Sequence, residues 1–324
     1  MKNLRINKNL VAIIVTLAFS IWLIKSLDRN TVIKLLDNIS PLWIGIGSFF
    51  YIVVYFVKVA RWKALLPMSS GSFKDMLGIT GIHNLAVRIF PNPAGELVFL
   101  RQAKQINIAY SDSLAALTIN RALDFVFVGF FFLFGVTPFF LNPTKAIFFF
   151  LSVSIFFIAG GIGLIIFLSS APNAAKKTVK IFFSLFLPTK FEKKIEQKTD
   201  QFLNAFAHLK NRKIYFKAVF FSFVLWLSMF GAYFFFLKGF GINLKLNAVF
   251  AGGAVQIFAN TIPNIGGFGI MEAGWVAGLN LAEIENQTAI AGALAVDLMT
   301  LVGTIIFGLI AFLIQKGKLL IKNN

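Results

Sequence analysis

The 324-residue chain contains no cysteine, so neither a disulfide framework nor a thiolate metal site is possible. It has two histidines, His83 and His208, too few for dense metal or haem chemistry. Acidic residues are scarce: 13 Asp and Glu stand against 31 Lys and Arg, a formal net charge of +18. No phosphate-binding glycine loop, zinc motif or nucleophile elbow occurs, and no cofactor is expected. No polar stretch between the apolar runs is long enough for a soluble domain.

Apolar side chains, by contrast, are in excess. Hydrophobic residues make up 58% of the chain, with 41 Phe and a mean hydropathy of +0.80, more than a soluble core of this length could bury. The expected fold class is an all-α integral membrane protein. In that setting the surplus of positive charge points to anionic membrane lipids as partners, before nucleic acid. Stretches of about the ~20 residues that a span requires lie near 10–27, 41–60, 113–136, 146–169, 217–237 and 287–314. The N-terminus begins like a signal peptide, but bulky Trp22, Leu23 and Ile24 stand where small residues would mark cleavage, so a retained first span is expected.

Two further apolar stretches, about 76–100 and 248–281, are interrupted at their centres by "FPNPAGE" and "TIPNIGGFGIMEAG". Proline lacks a backbone donor and glycine accepts backbone angles that other residues avoid, so each stretch is predicted to be a broken re-entrant hairpin. Such a break persists at membrane depth only where it is enclosed by protein or lines a watery cavity. With the N-terminus cytoplasmic, this parse places Lys58, Arg61 and Lys63 of "VKVARWK" and the Lys-rich stretch 170–216 inside, and Lys316, Lys318 and Lys322 return to the same side. The expected location is the cell inner (plasma) membrane, with both termini cytoplasmic. The basic segment 173–213 reads either as an amphipathic helix lying on anionic lipid or as a soluble helical connector.

The two interruptions resemble one another. Pro91, Asn92 and Gly95 have counterparts in Pro263, Asn264 and the Gly266, Gly267, Gly269 cluster, and each motif runs into a carboxylate, Glu96 or Glu272. Asp124 follows Pro91 by 33 residues and Asp297 follows Pro263 by 34. Residues 1–145 and 146–324 are therefore expected to be two membrane repeats, and three crossings between the hairpins make them inverted, the plan of many secondary transporters.

The candidate site residues are Arg88, Asn92, Gly95, Glu96, Arg121, Asp124, Asn264, Gly267, Glu272 and Asp297. Glu96 and Glu272 follow helix breaks, where free N–H groups favour a carboxylate; each reads as a helix cap or as part of a pathway. Arg121 and Asp124 are three apart, so they share a helix face and can pair, for stability or for function. Asp297 has no basic neighbour on its own span and needs a partner or a proton. Arg88 either faces the break or snorkels to the surface. His83 reads as a packing or hydrogen-bonding residue, with catalysis the lesser option.

The motifs "PNPAGE" and "IPNIGGFGIMEAG" resemble those of the membrane portion of the lysylphosphatidylglycerol synthase/flippase family, over about residues 10–315. The resemblance implies movement of a charged lipid between leaflets. Full-length synthases carry a soluble aminoacyl transferase domain after the membrane part; this chain ends at Asn324, and lysine transfer is not expected of it. The expected function is a flippase-like transporter of an anionic lipid or polyprenyl-phosphate-linked head group, with protons as a possible coupling ion. The alternatives are an intramembrane enzyme acting on a lipid phosphate and a small-anion carrier.

Overall fold

The computed structural model describes residues 33, 35–67, 71–90, 92–139, 144–184, 192–208, 211–262, 264 and 267–322. The expected first span, 10–27, and Pro91, Pro263 and Gly266 lie outside the described residues. Those described form eleven α-helices and one 3-10 turn, with no strand among them. The protein is an all-α multi-pass membrane protein.

Among the described residues, five helices are long and apolar enough to cross a bilayer: α1 (Pro41–Leu65), α4 (Tyr110–Val136), α5 (Lys145–Ser170), α8 (Arg212–Gly239) and α11 (Asn286–Lys322). Local chemistry sets their starts. Pro41 opens α1, where a missing N–H costs nothing, and the Thr144 hydroxyl accepts from the Ile147 N–H to begin α5. The outer face of α5 carries Phe148, Phe149 and Phe156, the last 71% exposed, which suits contact with lipid tails.

The two interrupted stretches are pairs of short helices. The first comprises α2 (Phe73–Ile89) and α3 (Asn92–Gln105), and the second α9 (Leu246–Ala259) and α10 (Ile270–Leu281). At 17, 14, 14 and 12 residues, none reaches the ~20 needed to span. A capping box between Ser72 and Asp75 starts α2. Phe90 stops it, because the residue before a proline is pushed out of the α region, and Phe90 is extended at φ −99°, ψ 156°. The helices of the first hairpin then close on one another at Gly95, where a Cβ would stand 2.7 Å from Val87 Cα.

The hairpins and spans exchange partners. Helix α1 packs along α8; α2 lies on α11, and α9 lies on α4. Small residues permit both of these last contacts: a Cβ on Gly81 would meet the Phe307 carbonyl at 2.7 Å, and one on Gly135 the Ala251 nitrogen at 2.6 Å. The basic segment forms two helices, α6 (Pro172–Ser184) and α7 (Glu192–His208). Lys176 of α6 bridges Glu196 and Asp200 of α7 at 3.0 Å each. The apolar side of α7 is turned inward, with Leu203 and Phe206 buried in one core with Leu117 and Ile119 of α4. That face is occupied by protein rather than by lipid.

Candidate functional site

Lys58, Arg61, Arg88, Arg121 and Asp124 line a cavity of about 220 Å³ between α1, α2, α4, α8, α10 and α11, and Glu96 and Asp297 pair with its cations from just outside. Its wall begins on α1. Sequence reasoning ended this span near residue 60 and assigned Lys58 and Arg61 to a cytoplasmic loop; the helix instead continues to Leu65, and both residues line the cavity. Three residues apart, they share a helix face. Arg61 is 2% exposed, and its Nη1 donates to Asp124 Oδ1 at 2.6 Å and to Ser222 Oγ at 3.1 Å. The Trp226 indole Nε1 donates to the same Asp124 oxygen at 3.0 Å. Arg121, on the same helix as Asp124, reaches the other oxygen at 3.6 Å, so the expected pair exists but is the longer of two.

Glu96 lies in the second turn of α3, which starts at Asn92, and no acidic residue occupies the first turn. Its carboxylate reaches across to other helices instead of capping its own. One oxygen pairs with Arg121, and the other lies 2.9 Å from His83 Nε2. Because an ionised carboxylate only accepts, Nε2 carries the proton in this bond. The His83 ring is 1% exposed and packs against Trp62 and Phe99, with centroids 6.3 and 5.3 Å away. Hydrogen bonding and packing, the preferred reading of His83, describe its position.

Arg88 faces inward, in the last turn of α2, where the helix dipole favours a cation. It crosses to the second hairpin and its following span. Nη2 pairs with Asp297, Nη1 contacts Met271 Sδ at 3.3 Å, and the guanidinium lies 4.8 Å from the centre of the Phe268 ring. Asp297, without a cation on its own span, thus finds one 209 residues away in sequence.

The second break is built to hold this contact. Asn264, 1% exposed, accepts from the Gly267 N–H at 2.7 Å and donates to the Ile262 and Asn260 carbonyls at 2.7 and 3.3 Å. Its side chain is thus spent on the turn and does not face the cavity as a ligand group. Gly267 and Gly269 sit at φ +79° and +77°, and a Cβ on Gly267 would collide with the Met271 sulfur that Arg88 touches. Glu272 lies in the first turn of α10, 3% exposed, with its Oε2 unbonded. It stands outside the cavity wall. Gly95 serves the first hairpin's close packing, and Asn92 begins α3.

Of the residues singled out in the sequence, the structure brings Arg88, Glu96, Arg121, Asp124 and Asp297 into ion pairs at the cavity, and it adds Lys58, Arg61, Ser222 and Trp226, which sequence reasoning did not single out. The available signal was "YFVKVARWKALL", in which two cations recur at helical spacing among apolar residues beyond the predicted span end.

No group of three or more His, Asp or Glu among the described residues is arranged to hold a metal ion. No curated protein and no solved structure matches the chain. The family described as lysylphosphatidylglycerol synthase TM region matches residues 9–308, the stretch that contains both hairpins and every residue of the cavity. The chain belongs to that family.

Proposed function

We propose that the protein is a flippase-like transporter moving an anionic lipid, a phospholipid or a polyprenyl-phosphate-linked head group, between the leaflets of the cell inner membrane, with cytoplasmic termini. The observation that carries this reading is the charged cavity, in which cations of α1, α2 and α4 meet carboxylates of both halves inside an apolar helical protein. Charge at such a position is costly and belongs to a pathway more readily than to a scaffold.

The exchanged packing of hairpins and spans supports the division into inverted repeats at 1–145 and 146–324, which would let the cavity face either side in turn. Glu272, buried with one oxygen unbonded, supports a proton as the coupling ion. An intramembrane enzyme using His83 as its base has less support, because the nitrogen left to accept a proton, Nδ1, is itself buried.

The test is leaflet exchange of labelled anionic phospholipid in vesicles containing the full chain. Arg88 holds Asp297 and Met271 through separate nitrogens of one fork, so Arg88→Gln is expected to abolish most exchange and Arg88→Lys to retain part of it. Wild-type rates in both variants would remove Arg88 from the pathway.

A further inference from the structure

We propose that Lys58 is the anchor for the substrate's phosphate, and that the cavity takes a lipid phosphodiester carrying a single negative charge. The proposal rests on the transport reading above and specifies its substrate class. Four cations line the cavity: Lys58, Arg61, Arg88 and Arg121. Three of them are committed to carboxylates, Arg61 to Asp124, Arg121 to Glu96 and Arg88 to Asp297. Lys58 forms no ion pair among the described residues; its Nζ donates to Asn84 Oδ1, which leaves two further N–H donors. Asp124 lies within electrostatic range of Lys58 but is already held by Arg61 and Arg121.

Two further donors on the wall's cations also lack acceptors. The Nε–H groups of Arg61 and Arg88 are buried without a hydrogen-bond partner. A buried donor left unpaired is costly, so the missing component is one rich in acceptors. Phosphate oxygens are such a component, and charge-assisted bonds from Lys and Arg are the strong kind. With Glu272 holding a proton, one negative charge balances the four cations and their three carboxylates, whereas a phosphomonoester would bring a second charge with no counterpart. A cavity of about 220 Å³ suits a head group and is too small for two acyl chains. The chains must therefore stay outside, among the helices.

The test is binding of dihexanoyl phosphatidylglycerol to the purified full chain in detergent, followed through Trp226 fluorescence, alongside leaflet exchange in vesicles. Lys58→Met is expected to weaken binding about tenfold or more, and Lys58→Arg to recover most of it. Asn84→Leu, which leaves the charge but frees the ammonium to move, is expected to weaken binding less than Lys58→Met does. Dihexanoyl phosphatidic acid and phosphatidylcholine should bind more weakly than phosphatidylglycerol. Undiminished binding by Lys58→Met would overturn the anchor, and tighter binding of phosphatidic acid would overturn the single charge. Equal affinity for water-soluble glycerophosphoglycerol would overturn a lipid as the source of the phosphate. Equal exchange by wild type and Lys58→Met would sink the anchor and leave transport standing, while Lys58-dependent binding without exchange by the wild type would sink transport alone.

Discussion

Replacing Arg61 with methionine keeps most of the side chain's length and removes the cation nearest Asp124. The carboxylate would retain the Trp226 N–H at 3.0 Å and Arg121 at 3.6 Å, but the latter side chain is 46% exposed and partly screened. Breaking a buried pair by deleting one partner costs about 3–5 kcal/mol, because the other charge is left uncompensated. The surviving contacts place Arg61→Met near the lower end, about 3 kcal/mol, a fall in thermal midpoint on the order of 6 to 10 °C. Asp124→Asn strands the Arg61 guanidinium in turn, but the asparagine oxygen still accepts from Arg61 and Trp226 and Ser222 remains an acceptor for Arg61, so it should cost somewhat less than Arg61→Met. The double variant should be more stable than Arg61→Met alone, because it removes the stranded charge. Thermal unfolding of the three purified variants in one detergent measures these differences. An Arg61→Met midpoint within about 2 °C of wild type, or a double variant less stable than Arg61→Met, would refute the view that Arg61 neutralises Asp124.

Gly95→Ala places a methyl 2.7 Å from the Val87 backbone and must push α2 and α3 apart, at a cost of about 1–3 kcal/mol, whereas Gly160→Ala, with nothing within 4 Å, should be neutral or slightly stabilising in the same thermal assay. Because the chain has no cysteine, single cysteines report topology directly: Asn286→Cys should be labelled from outside and Asn211→Cys only from the cytoplasm. External labelling of Asn211→Cys would overturn the inverted arrangement.

The spans and hairpins could be read from the sequence because their causes are local. A run of apolar residues sets a span, and proline next to glycine interrupts one whatever surrounds it. The charged site was only half readable, since its bonds join distant positions. Nothing in the spacing of Arg88 points to Asp297, and Glu96 looks like a cap until His83 and Arg121 are brought beside it. Arg61 was hidden for a different reason. Counting positive charges at span ends treats every Lys and Arg there as a loop marker, although a cation one helical turn further in is as able to face a buried carboxylate. Amphipathicity in α7 likewise recorded that one face is apolar, and could not say whether lipid or α4 would cover it.

Among the cavity's ion pairs, Arg88–Asp297 is the one that joins the two halves of the chain. The pairs Arg61–Asp124 and Arg121–Glu96 lie within residues 1–145, tied to the second half by neutral hydrogen bonds to Ser222 and Trp226. Arg88 instead leaves the end of α2 and is gripped by Asp297, Met271 and Phe268, all from the second hairpin and the span after it. A motion that turns the cavity from one side to the other must either preserve this grip as a pivot or break it and strand two charges. Stranding them is the costly course, unless a substrate phosphate takes Arg88 while a proton takes Asp297 or the nearby Glu272. Under the proposed function, lipid binding and proton uptake would then lower the same barrier, a physical reason for the two to be coupled.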